Sequence, residues 1–210
     1  MKRPSGFRTD VGLSYARIEH IAGRVRKWLG IDGAYPVPGL KVFEGLYRYE
    51  VVVGDRRYKL DCGVAELPSG CEARTRYDRG ADRIVVELTP DTYSDLELAD
   101  GVRARNTLFH EIGHVTLHPA LLVRMSEIPH AKAALMRESQ EPYPFYYDTE
   151  WQANALAAAV LMPARELAKI DDSGSALDTR TIRKRFRVSE LAAGIRLQNF
   201  EKRRCDLLGG

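Results

Sequence analysis

Between residues 15 and 30 the apolar positions Ile18, Ile21, Ala22, Val25, Trp28 and Leu29 recur at helical spacing, and Gly30 follows as a stop. A helix is predicted there, broken by "DGAYPVPG". The pattern then changes to alternation. "LYRYEVVVGDRRYKLDCGV" is rich in Val and Tyr around Gly54 and Asp55, which predicts a hairpin. "CEARTRYDRGADRIVVELTP" repeats the arrangement, with a turn between Asp78 and Asp82. Together these segments predict a small antiparallel sheet of three or four strands. From "LELADGVRARNTLFHEIGHVTLHP" the period is helical again, and Pro119 ends the run. "PHAKAALMRESQ" reads as a short helix and "EPYPFYYD" as a connector. "TEWQANALAAAVLMP" reads as an Ala-rich helix with Asp148 or Thr149 as N-cap and Pro163 as its stop. After the linker "DDSGSALD" come two more helices, "TRTIRKRF" and "SELAAGIRLQNFEKRR", the second capped by Ser189. The expected fold class is α+β: a leading helix, a small antiparallel sheet on a helical core, and a C-terminal helix pair. No internal repeat is visible.

Composition narrows the class without naming a function. The chain has 210 residues, 44% of them hydrophobic and 29% charged, which is an ordinary globular balance. No apolar run approaches the roughly 20 residues that span a bilayer. The basic N-terminus has no apolar stretch behind it of the kind a secretory signal needs, so a cytoplasmic protein is expected. The three cysteines, Cys62, Cys71 and Cys205, read as thiols, with a Cys62–Cys71 bridge open if the sheet sets them side by side. A net charge of +3 does not by itself announce a nucleic-acid partner.

The candidate chemistry lies in "TLFHEIGHVTLH". On a helix, residues four apart sit about 40° apart around the axis and ~6 Å apart along it, so His110 and His114 can aim at one ion. Glu111 projects roughly 100° from His110, which suits it to take a proton from an attacking water rather than to ligate. Leu108, Phe109, Ile112, Val115 and Leu117 surround the motif. Three ionisable groups among such neighbours are costly unless a metal and hydrogen bonds satisfy them. A catalytic zinc needs a third protein ligand. His118 is the nearest in sequence, but the HExxHxxGxxH pattern fails, because Leu117 and Ala120 stand where Gly and His are required. Glu150, opening the Ala-rich helix, is the second candidate. Asn154 lies one turn further on, and Ala153, Ala157 and Ala158 would let the two helices pack closely. A first-turn glutamate is also favoured by the helix dipole alone, so this spacing leaves both readings of Glu150 open. His130 reads as a surface residue.

"RARNTLFHEIGHVTLH" followed by "EWQANALAAAVLMP" resembles the ImmA/IrrE family of metallopeptidases, whose two signatures occur in this order. The likeness extends over roughly residues 15 to 200. It implies a zincin-like metallopeptidase domain, expected over residues 1–170; the two helices and short turn of the segment 171–210, expected to pack on it, resemble by their own pattern a helix-turn-helix. The likeness implies zinc, one ion per chain, held by His110, His114 and Glu150, with Mn2+ as another divalent option, and Glu111 as the catalytic residue. The partner implied is a helix-turn-helix repressor encoded nearby, cleaved to release stress-response or mobile-element genes. No appended sensor domain of the kind some members carry is expected in these residues.

Two features stand outside that reading. Tyr143, Tyr146 and Tyr147 could line a substrate cleft, but packing over the sheet is the expectation. From Asp178 to Arg204 nine basic residues face three acidic ones, an excess of six. A metal-bearing DNA-binding regulator without proteolytic activity is therefore the alternative. The expectation set against it is a solvated basic face on helices that bury Ile182, Phe186, Leu191, Ile195 and Leu197.

Overall fold

The computed structural model describes residues 5–98, 101–128 and 141–209. Helix α1 (Tyr15–Trp28) begins at the cap Ser14, whose side chain accepts from the Arg17 N–H, and stops before Gly30 at φ 65°. Helix α2 (Gly39–Glu44) and a 3-10 turn (Leu46–Arg48) lead into strands β1 (Glu50–Val53) and β2 (Arg56–Val64). Their hairpin turns at Gly54, where φ is 58°. Strands β3 (Ala73–Asp78) and β4 (Arg83–Leu88) form a second hairpin. Then follow α3 (Pro90–Glu97), α4 (Val102–Leu117), α5 (Pro119–Met125), a 3-10 turn (Phe145–Tyr147) and α6 (Thr149–Leu161). Helices α7 (Ala164–Asp172), α8 (Thr179–Phe186) and α9 (Glu190–Leu208) close the described chain. The class is α+β. The short helix expected in "PHAKAALMRESQ", and His130 with it, lies outside the described residues.

The sheet is mixed rather than antiparallel. Its order is β1-β2-β4-β3, with β2 and β4 parallel and the two hairpins antiparallel within themselves. The reason is in the side chains of the second hairpin. β4 is a near-continuous apolar run in which Ile84, Val86 and Leu88 have no exposure, so it takes the interior place beside β2. β3 carries Arg74, Arg76 and Asp78 on alternate positions and takes the edge. Arg74 and Arg76 both reach the buried Glu87 of β4, at 2.6 and 3.0 Å. With β4 between β2 and β3, Cys62 does not meet Cys71; all three cysteines are free thiols, and Cys71 Sγ lies 3.0 Å from the Ala73 carbonyl.

Helix α4 packs on β3 and β4, α6 packs on α4, and α1 packs on the far side of α6. Two buried cations knit the helices together. Arg26 of α1, fully buried, donates to the carbonyls of Val160, Ile31 and Ala34. Arg196 of α9 donates to the Met162 carbonyl and pairs with Glu19 of α1 at 2.6 Å, while Glu19 also accepts the Ala164 N–H. Ile182 and Phe186 of α8 are buried as expected and Leu197 is partly buried. Leu191 and Ile195 are not: they are 75% and 52% exposed. The inward face of α9 is built instead from Ala193, Arg196 and Phe200, an assignment that treating arginine as a surface residue misses.

Before α1 the chain forms a strap across the start of α6. Backbone N–H groups of Ser5 and Gly6 donate to Asp148 Oδ2, Phe7 N–H to Thr149 Oγ1, and Thr9 N–H to the Tyr147 carbonyl. A side chain at Gly6 would collide with Thr149 and Glu150. Tyr143, Tyr146 and Tyr147 pack here rather than over the sheet: the buried Tyr143 hydroxyl donates to the Gly6 carbonyl, and Tyr146 and Tyr147 lie against Gly12.

Candidate metal centre

Two helices meet at the site. His110 and His114 lie one turn apart on α4, and Glu150 stands in the first turn of α6, whose N-cap Asp148 accepts the Glu150 and Trp151 N–H groups. The helices approach closely because Gly113 faces Ala153: a Cβ at Gly113 would fall 2.9 Å from Ala153 Cα. Of the three small residues expected to permit this contact, Ala153 and Ala157 have 0% exposure and Ala158 is partly buried.

The approach gathers three donor atoms. His110 Nε2 lies 3.1 Å from His114 Nε2 and 3.2 Å from Glu150 Oε2, and His114 Nε2 lies 3.5 Å from Glu150 Oε1. Metal–ligand bonds of about 2.0–2.2 Å in tetrahedral geometry set neighbouring ligands about 3.3–3.6 Å apart. The spacing and the nitrogen–nitrogen–oxygen donor set therefore fit a divalent ion with a fourth position left open. His118 stays out of this triangle. Its Nδ1 meets His114 Nδ1 at 3.1 Å, behind the ligand face, and its Nε2 meets Gln152 Oε1 at 2.9 Å.

The electrostatics describe a place for positive charge. Burial pushes the Glu150 carboxyl up, but hydrogen bonds from His110 and His114 and their charge outweigh it and hold Glu150 well below the usual carboxylate range. Burial likewise opposes a charge on His110; the bond to Glu150 and the nearby Glu111 carboxylate overcome it and raise that pKa. A proton and a metal compete for the same place between these groups. His118 differs. Burial dominates there and lowers its pKa to about 4, so it is neutral at neutral pH.

Glu111 is turned to the sheet. It is 8% exposed, and Thr75 Oγ1 of the edge strand β3 donates to its Oε2 at 2.6 Å. Asn154 bonds the other face of the site: its Nδ2 donates to the Glu150 carbonyl, which leaves Oδ1 to accept from His110 Nδ1 at 3.1 Å. Thr75 and Gln152 are the site neighbours that sequence reading passed over. Thr75 lies far from the motif in sequence, and Gln152 is one of the unspecified positions between Glu150 and Asn154.

Residues 99–198 match the family model of the IrrE N-terminal-like domain, peptidase family M78. This segment carries α4, α6 and all three donor residues, and its match supports a metallopeptidase domain of the ImmA/IrrE type there. No curated protein matches the chain. A solved Mycobacterium tuberculosis transcriptional regulator is similar with a TM-score of 0.48 and 15% identity, over 84% of this chain and 44% of that one. The chain thus spans less than half of that regulator.

Proposed function

We propose that the protein is a zinc-dependent endopeptidase whose substrate is a helix-turn-helix transcriptional repressor, and that cleavage relieves repression of stress-response or mobile-element genes. The observation that carries the reading is the triangle of His110, His114 and Glu150 with the buried Glu111 beside it, in a segment that matches this family. A bound divalent ion would supply Lewis acidity towards the scissile carbonyl. The remaining work falls to this chain. Glu111 accepts a proton as the water oxygen adds to the carbonyl carbon, then returns it to the amide nitrogen as the C–N bond breaks. Thr75 keeps one carboxylate oxygen of Glu111 engaged and leaves the other for the water.

The second reading, a DNA-binding regulator, rests on the basic C-terminal segment. Its charge is smaller in effect than the count suggests. Arg196 is buried against Glu19, Arg204 pairs with Asp171 and Asp172, and Arg183 pairs with Glu190. Exposed Arg180, Lys184 and Arg185 are left on α8. The deciding experiment co-expresses the protein with the repressor encoded beside it. A single cut made by the wild type and not by Glu111→Gln supports the peptidase; salt-dependent DNA binding with no cut supports the regulator.

A further inference from the structure

His114 makes a contact that holding a metal does not require. Its Nδ1 lies 3.1 Å from His118 Nδ1, and only one proton fits between two ring nitrogens. The direction of that bond must be set elsewhere, and Gln152 sets it. Gln152 Nε2 lies 2.8 Å from the Tyr146 carbonyl, 3.1 Å from the Val11 carbonyl and 3.1 Å from Thr9 Oγ1. Two of these partners are backbone oxygens that can only accept, so the NH2 group faces them and Oε1 faces His118. His118 Nε2 therefore carries the proton that Oε1 accepts. A neutral His118 protonated at Nε2 presents a bare Nδ1, and that nitrogen accepts from His114 Nδ1–H. His114 Nε2 is then bare on the side of Glu150 and His110.

We propose that Gln152 and His118 are positioning residues that lock His114 in the Nδ1–H tautomer, with the strap at Thr9 and Val11 anchoring the far end of the chain of bonds. The proposal rests on the ligand triad given above. His110 receives the same orientation in one step, from Asn154. His114 receives it in two, through His118 from Gln152, whose own orientation is set by Thr9 and Val11 of the strap. Partners of this kind behind a metal-binding histidine fix ring orientation as well as the proton, and losing one typically weakens metal binding about 10- to 100-fold.

The test uses the full chain, a chelator competition for Zn2+, and two substitutions. His118→Phe keeps a ring but has no acceptor; His118→Asn places an amide oxygen where Nδ1 stood. The expected result is a 10- to 100-fold weaker zinc affinity for His118→Phe, largely restored in His118→Asn. The melting temperatures of the two zinc-free variants should agree, which a merely structural role would not give. Should His118→Phe fail to fold, nitrogen-15 spectra of the zinc-loaded wild type decide, with the His118 proton expected on Nε2. A His118 proton on Nδ1, or folded His118→Phe with wild-type zinc affinity, overturns the proposal alone. Wild-type protein that takes up no zinc overturns the ligand triad, and the proposal with it.

Discussion

Gly113 of α4 and Ala153 of α6 meet backbone to backbone, and no Cβ fits at position 113: it would lie 2.9 Å from Ala153 Cα and 3.1 Å from the Ala153 carbonyl oxygen. This contact sets the distance between the helix that bears His110 and His114 and the one that bears Glu150. Gly113→Ala gains up to ~1 kcal/mol of helix propensity, but the obstructing atoms are backbone and cannot step aside. Overpacking of this kind costs about 1–3 kcal/mol. The expected outcome is a lower melting temperature together with weaker zinc binding, since Glu150 is pushed from the two histidines. Unchanged zinc affinity would show that the helix spacing does not govern the site.

Catalysis and metal binding should separate at adjacent residues. Glu111→Gln keeps the fold and the ion but cannot take the proton, and a lost general base costs about 10²- to 10⁴-fold in rate, roughly 3 to 5 kcal/mol. His110→Ala should lose the ion and some stability with it. The pair should be indistinguishable in a cleavage assay and distinct in metal analysis and thermal melting. Near-wild-type cleavage by Glu111→Gln would make the metal structural.

Thr75→Val tests the edge strand. The change keeps the β-branched shape and removes the hydroxyl that donates to Glu111 Oε2. Zinc content should be unaffected, while the cleavage rate falls about 10-fold, or ~1.4 kcal/mol. Equal rates for the two proteins would show that Glu111 does not depend on Thr75 for its orientation.

Acid stability should depend on Glu87. Burial raises its pKa, but hydrogen bonds and charge from Arg76 and Arg74 outweigh burial, so the carboxyl titrates below its ordinary value in the folded protein. A group depressed in this way contributes stability above its unfolded pKa, about 4.3, which is lost as pH falls through the folded value. Melting temperatures from pH 6 to pH 2 should fall more steeply for the wild type than for Glu87→Gln. Parallel curves would assign the acid sensitivity to other carboxylates.

The helices that bear the site were legible because their signals are local. The i, i+4 histidines, the Asp148 cap, the Ala-rich face and the Pro163 stop all sit within a few residues of what they control. Strand order was not, since alternation marks a strand without saying which neighbour it takes; the burial of Ile84, Val86 and Leu88 on an interior strand decided that. Arg196 counted as surface charge because its counter-ion Glu19 lies 177 residues away. The shell behind His114 was hidden for the same reason: Gln152 has meaning only once Thr9 and Val11 are folded over it.

The strap has a kinetic consequence. Residues 5 to 9 satisfy Asp148 and Thr149, partners about 140 positions later in the chain, so the start of α6 cannot be completed until most of the polypeptide is available. Contacts of such long sequence separation form late, because the entropy of closing the loop precedes any reward from the contact. Glu150 sits in that first turn, whereas His110 and His114 can reach their helical arrangement from local sequence alone. During folding the pair of histidines is therefore set by local sequence, whereas three-point capture of an ion waits until α6 has docked on α4 and the N-terminal strap has closed over its first turn.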